Sequence, residues 1–327
     1  MKAIFHSVLA SLSLVLMLTH GPLAASPADQ FPNRPLKIVV PFPPGGSADA
    51  TARILAERLT DIWNQPVVID NRPGAGTTIA SAAVAKSSPD GYTLYLAYVL
   101  SYATSASLYT NLSYDPLEDL AGVSLIVDAP FVLTVEQKSP VTNLEAFVAL
   151  AREKGSDMTY ASTGNGAGPH LATEIFLRRA GLKPLHVPYK GTAGAVTALL
   201  GDYVDFSVLD AASLELIKSG RLKPLAVTSG KRWESLPDVP TIEESGYPDL
   251  HVSSPAGIMV SGKVPPEIVK KIHAAIVEAM ETPSVKEKYE SQGFVPTSSS
   301  PEEFEAVLRK EMERIRPLIQ DLGLKVG

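Results

Sequence analysis

The 327 residues carry 45% hydrophobic and 20% charged side chains, which excludes a disordered or fibrous chain and suffices for about two globular domains. A formal net charge of −6 leaves no basic face for a phosphate backbone, so nucleic acid is not an expected partner. With no cysteine there is no disulfide frame, thiolate nucleophile, cysteine-based metal site or lipid-bearing thiol, while 27 prolines, about 8% against an ordinary ~5%, point to many fixed loops.

Lys2 is the sole Lys, Arg, Asp or Glu before Asp29, and it precedes an apolar run over 8–18. At helical rise that run covers about 16 Å, too short for a bilayer, so a membrane anchor is the weaker alternative. Small residues follow at Ala24, Ala25 and Ser26. The segment reads as a secretory signal peptide, 1–25, cleaved near Ala25 to release the mature protein into the periplasm.

Beyond it the chain alternates strands and helices. Residues 36–40 form an unbroken apolar strand, after which Ala52, Leu55, Ala56, Leu59, Ile62 and Trp63 share one helical face. A strand over 67–69, a helix over 79–85 and a Pro89-Asp90-Gly91 turn into a strand over 92–99 complete a βαβαβ unit. A second α/β set follows. It has a helix over 144–152 behind Asn143, a strand over 158–161, a helix over 170–180 stopped by Gly181, and a strand over 185–187. A helix over 192–200 and strands over 204–209 and 222–227 finish it. The unbroken apolar strands argue for parallel-rich sheets flanked by helices, an α/β class with two lobes. The stretch 232–248 has no periodicity and reads as a long surface connection. Residues 265–280 and a helix opened by a Ser300/Glu303 capping box are amphipathic and must dock on an existing lobe. Two interlobe crossings, near 128–130 and 251–254, give lobe 1 residues 26–128 plus 252–327 and lobe 2 residues 129–251.

Ligands of open α/β sheets bind beyond the carboxyl ends of strands. The loops there are rich in glycine and hydroxyls. In lobe 1, Phe42, Gly45, Gly46, Ser47 and Asp49 form a loop able to bare its amides, with Ser47 or Asp49 available to cap the helix. The run 71–78 and the Ser101-Tyr102-Ala103-Thr104 loop join it. Lobe 2 offers Ser162, Thr163, Gly164, Asn165 and Gly166, then Tyr189, then Asp210. One helix N-terminus contributes about 0.3–2 kcal/mol to an anion and one charged hydrogen bond about 1.5–3, whereas micromolar affinity needs about 8. Donors from both lobes must therefore close on the solute together.

Through Val40-Pro41-Phe42-Pro43-Pro44-Gly45-Gly46, Asn71-Arg72-Pro73-Gly74-Ala75-Gly76, Pro89-Asp90-Gly91-Tyr92, Tyr160-Ala161-Ser162-Thr163-Gly164-Asn165-Gly166, Val187-Pro188-Tyr189-Lys190-Gly191 and Leu236-Pro237-Asp238-Val239-Pro240-Thr241, the mature chain resembles the Bug-type extracytoplasmic solute receptors of tripartite tricarboxylate transporters. The resemblance implies a two-lobe periplasmic-binding-protein type II fold and a cleft for a small carboxylate held by amides, hydroxyls and water. It also implies delivery to the membrane components of the transporter, with no prosthetic group and no covalent step. A monomer is expected. By motif the contacts fall on Gly45, Gly46 and Ser47 and on Thr163, Gly164, Asn165 and Gly166. The chain departs from the family at Ser254-Pro255-Ala256-Gly257, where many relatives have an aromatic residue, and at Asp210-Ala211-Ala212, which replaces a proline-containing loop. A cleft carboxylate at Asp210 would repel a second ligand carboxylate and favour a ligand with a neutral or cationic far end.

Other signals have plainer readings. Gly74-Ala75-Gly76 matches only the start of a dinucleotide fingerprint, since Ile79 occupies the third glycine position. His170 either caps its helix, touches ligand or packs; His186, His251 and His273 are surface or core residues and lack metal-ligand spacing. Arg72 either forks a carboxylate or braces its loop, and Lys190 is equally free to face solvent. Tyr98 and Tyr102, nearest the end of their strand, are candidates to line the pocket. The alternatives are an exported hydrolase for a small ester or amide, although no nucleophile elbow or phosphate loop is present, and a sensor module serving a membrane kinase.

Overall fold

The computed structural model describes residues 30–323; the expected signal peptide lies outside them. The first sheet contains β1 (Leu36–Val40), β2 (Val67–Asn71), β3 (Thr93–Tyr98), β4 (Leu120–Asp128), β10 (Ala256–Ser261) and β11 (Val295–Pro296), in the order β11-β4-β10-β3-β1-β2. The second contains β5 (Val132–Glu136), β6 (Thr159–Ser162), β7 (Leu185–Pro188), β8 (Phe206–Leu209) and β9 (Leu222–Val227), in the order β7-β6-β8-β5-β9. Helices α1 (Ser47–Trp63), α2 (Thr78–Ala85), α3 (Val99–Leu108), α8 (Pro266–Glu281), α9 (Pro283–Ser291) and α10 (Pro301–Asp321) accompany the first sheet. Helices α4 (Leu144–Lys154), α5 (Gly168–Ala180), α6 (Thr192–Leu200) and α7 (Leu214–Lys218) accompany the second.

Strand alternation sorts the first sheet onto two apolar layers. Ile38, Val40, Leu94, Leu96 and Ile258 are sealed with Leu55 and Leu59 of α1 and Ile272 and Ile276 of α8. Val39, Tyr95 and Met259 point the other way and join Ala80 and Val84 of α2 and Phe304 and Leu308 of α10. Three local signals sit where the sequence puts them. Asn143 Oδ1 accepts from Ala146 N at 2.8 Å, Gly181 ends α5 with φ of 67°, and Ser300 with Glu303 closes a reciprocal capping box.

Three expectations need correction. Both sheets are mixed: β10 runs antiparallel between β3 and β4, and β5 antiparallel between β8 and β9. An apolar run reports burial on both faces and says nothing of direction; β4 and β5 were not read as strands. Residues 99–108 are a helix directly after β3, and the expected Ser101–Thr104 loop lies inside its first turns. Buried Val99, Leu100, Tyr102, Ala103, Thr104 and Ser105 leave it no polar face and hence no 3.6-residue stripe. The stretch 232–248 is irregular but not superficial, since Trp233, Leu236, Val239 and Ile242 are buried and Trp233 Nε1 donates to Gly293 O at 2.9 Å.

The chain passes from the first sheet to the second at 129–131 and returns before β10. The two passages lie side by side: Ser254 N donates to Ala129 O at 3.0 Å, Thr228 N to Phe131 O at 2.9 Å and Val252 N to Thr228 O at 2.7 Å.

Candidate functional site

The loop after β1 is held by its own carboxylate. Gly46 is the N-cap of α1 and neither Ser47 nor Asp49 caps it; Asp49, one turn in, reaches back to accept Gly45 N–H at 3.1 Å. Asn71 Nδ2 and the Arg53 guanidinium also donate to Asp49. These partners, Arg53 first, hold its carboxyl down at about 2. Gly45, at φ of 83°, therefore spends its amide internally. The amides of Ser47, Ala48 and Asp49 precede the first helical bond, Ala50 N to Gly46 O, and have no intrahelical acceptor. Gly45, Gly46 and Ser47 are exposed. Phe42 is half-buried, edge-on to Tyr98 at 5.8 Å, and its carbonyl accepts Asn71 Nδ2.

Tyr98 ends β3 with its hydroxyl 3.1 Å from Thr51 Oγ1. Ser101 is half-buried in the first turn of α3. Tyr102 faces the core: it is 1% exposed and its hydroxyl donates to Pro116 O at 2.7 Å, so it braces the rim from behind. Arg72 pairs with Asp70 at 2.9 Å, the bracing alternative.

In the second sheet the loop after β6 turns through two left-handed glycines, Gly164 at φ of 139° and Gly166 at 73°. Gly164 N–H goes to Ser162 Oγ and Gly166 N–H to His170 Nδ1 at 3.0 Å. Ser162 Oγ also lies 2.6 Å from His186 Nε2. That hydroxyl–imidazole pair has no route to a substrate, because Ser162 is fully buried. His170 packs rather than capping α5 or standing free, and burial, with the neighbouring His186 next, depresses its imidazole to about 3. Thr163 gives its carbonyl to Gly191 N, and Tyr189 N donates to Ser162 O, tying the β7–α6 loop to the same rim. Asn165 is exposed at the tip and, among the described residues, makes no hydrogen bond. Asp210 directly follows β8, accepting Thr192 Oγ1 at 2.9 Å and Ala212 N at 3.1 Å. Burial raises its carboxyl above the ordinary range, and it acts electrostatically on Tyr98 of the first sheet.

The rims after β3 and β6 meet. A methyl built on Gly166 would lie 3.6 Å from both Leu108 Cδ1 and Thr104 Cγ2 of α3, and one on Gly168 would lie 2.8 Å from Phe131 and 3.5 Å from Leu100. Thr104 belongs to one of the expected loops, but Leu108 was not among the expected site residues, and His186 was read only as surface or core. Their signal is spatial: α3 has no amphipathic stripe, and His186 is 24 residues from Ser162. A cavity of about 360 Å³ near Phe147, Leu150 and Met158 includes none of the expected site residues. Among the described residues no group of His, Asp or Glu could hold a metal ion, and no helix is long and apolar enough to cross a membrane.

A profile of the family described as tripartite tricarboxylate transporter family receptor (TctC) matches residues 51–324. Protein BugT of Bordetella pertussis is 37% identical over 314 residues, covering 95% of this chain and 96% of that protein. The structure of Rpa4515 from R. palustris with adipate superposes with a TM-score of 0.80 at 32% identity, covering 90% of this chain and 99% of the other. MatC from Rhodopseudomonas palustris, with bound malate, gives 0.76 at 27% identity, covering 88% of this chain and 100% of the other. Agreement in fold and in sequence along nearly the whole described chain makes this protein a member of the tripartite tricarboxylate transporter receptor family, the Bug-type periplasmic solute receptors, and a solute-binding protein rather than an enzyme.

Proposed function

We propose that the protein is exported by cleavage near Ala25, captures a small carboxylate between lobe 1 (26–128 plus 252–327) and lobe 2 (129–251), and delivers it as a monomer to the membrane components of a tripartite tricarboxylate transporter. The observation that carries this reading is the approach of the loop after β6 to α3, the helix that bears Ser101 at its start, at Gly166, Thr104 and Leu108. The adipate and malate held by two relatives support the ligand class.

The donors in this reading are the first-turn amides of α1, the Ser101 hydroxyl, and the Thr163 and Asn165 side chains. Amides of Gly45, Gly164 and Gly166 shape the rims, being already bonded to Asp49, Ser162 and His170. Solute binding favours the closed population and presents both lobes to the transporter. Asp210 accepts two neutral donors and, among the described residues, meets no cation within salt-bridge distance, so it disfavours a second carboxylate at its end of the site.

A thermal-shift screen over mono-, di-, aromatic and amine-bearing carboxylates tests the reading, since a solute at 100 times its dissociation constant adds about 2.7 kcal/mol to stability. A flat panel refutes it. Asp210→Asn should raise the rank of dicarboxylates over amine-bearing acids; an unchanged ranking removes Asp210 from selectivity.

A further inference from the structure

Beneath the β6–α5 rim two imidazoles lie face to face. The rings of His170 and His186 are 4.1 Å apart between centroids and 13° from parallel, and Tyr160 stacks on His186 at 4.8 Å. Each ring is tied to one of the two left-handed glycines. His170 Nδ1 accepts the Gly166 amide directly, which requires that nitrogen to carry no proton. His186 Nε2 lies 2.6 Å from Ser162 Oγ, which in turn accepts the Gly164 amide; when that nitrogen is also bare the hydroxyl proton goes to it in preference to Gly164 O, the longer contact at 3.3 Å.

Among the described residues neither imidazole has a carboxylate within salt-bridge distance, and the carboxylate beside the stack is engaged elsewhere. From β6 come Tyr160 and Ser162, from β8 Phe206, and from α5 Glu174, whose carboxylate accepts the Tyr160 hydroxyl. Among the described residues the histidine that meets a carboxylate is His251, at Glu243, far along the chain from this stack. A proton on His170 Nδ1 would confront the Gly166 N–H donor with another donor, and a second proton on His186 would set two cations face to face.

We propose that the neutral His170–His186 stack is the positioning device of the 162–168 rim, and that acid protonates it and releases the rim. The consequence for solute rests on the reading of that rim as part of the binding site: uptake would weaken under acid while the sheets stay folded. An NMR titration of the purified, ¹⁵N-labelled protein without solute tests it, following both imidazoles and the Gly164 and Gly166 amides from pH 8 to 2.5. The expected result is a Gly166 amide shift that is fixed down to about pH 4, well below the ordinary histidine range, then movement or loss of the glycine amides in step with imidazole protonation, while amides in β5 hold. His170→Asn keeps an acceptor for Gly166 and cannot titrate, so its Gly166 amide should stay in place to lower pH; Ser162→Ala should uncouple Gly164 from His186. Glycine amides that do not move as the imidazoles protonate, or that move identically in His170→Asn, overturn the proposal. Because no solute is present, that failure is separate from failure of the carboxylate reading, which the solute screen decides.

Discussion

His170 makes acid stability a quantitative test. It is 2% exposed, and burial holds its imidazole at about 3 in the folded chain against 6.5 for an unhindered histidine. Between those values the unfolded chain binds the proton that the folded chain refuses, so stability is full above pH 6.5 and falls as pH drops toward 3. One pH unit corresponds to about 1.4 kcal/mol, so the 1.5 units from 6.5 to 5 remove about 2 kcal/mol through this one residue. His186, also depressed by burial, adds in the same direction. Urea unfolding of wild type and His170→Asn, at pH 8 and pH 5, isolates the contribution. The wild type should lose about 2 kcal/mol more than the variant over that interval. Equal losses would show that His170 titrates alike in both states, and would refute the assignment of a buried neutral imidazole.

Asn165→Ala should weaken solute binding about tenfold to a hundredfold, the worth of one charged hydrogen bond, with stability unchanged within about 0.5 kcal/mol; calorimetric titration and urea melts read the two. Asp49→Asn should cost about 1–2 kcal/mol at pH 7 by weakening the tie between Gly45 and Arg53. Because the Asp49 carboxyl is lowered from 3.8 to about 2, that difference should hold above pH 3.8 and close as pH falls toward 2, as followed by acid unfolding of both proteins. Gly257→Ala would place a methyl 2.6 Å from Phe304 Cε1 and 2.7 Å from Ser124 O; a loss of about 1–3 kcal/mol in urea unfolding is expected.

Much of the α/β order was legible because its signals are local. The capping box at Ser300, the Asn143 cap and the left-handed Gly181 need only a few neighbouring residues to act, and each sits where it was read. Strand direction was not legible, because Ile258 is buried equally well beside a parallel or an antiparallel partner. The helix α3 was hidden by burial on all sides, and the strap 232–248 by anchoring its apolar residues without a repeat. At the candidate site the sequence marked these loops as glycine-rich and hydroxylic, but not which amides they keep for themselves. Asp49 four residues from Gly45, and His170 four from Gly166, are short-range pairings that could have been weighed. The stacking of His186 on His170 and the approach of Leu108 to Gly166 depend on how β6, β7 and α3 come together, and no local pattern encodes them.

The capture of solute between two lobes is tested most directly by a distance across them. The chain has no cysteine, so spin labels can be placed cleanly at Asp61→Cys on α1 and Lys183→Cys beyond α5, both exposed. Pulsed EPR would be recorded with and without the carboxylate that raises the melting temperature most. A distance distribution that shifts and narrows as that solute saturates is the expected result. A distribution that stays unchanged while the melting temperature rises would contradict capture by closure.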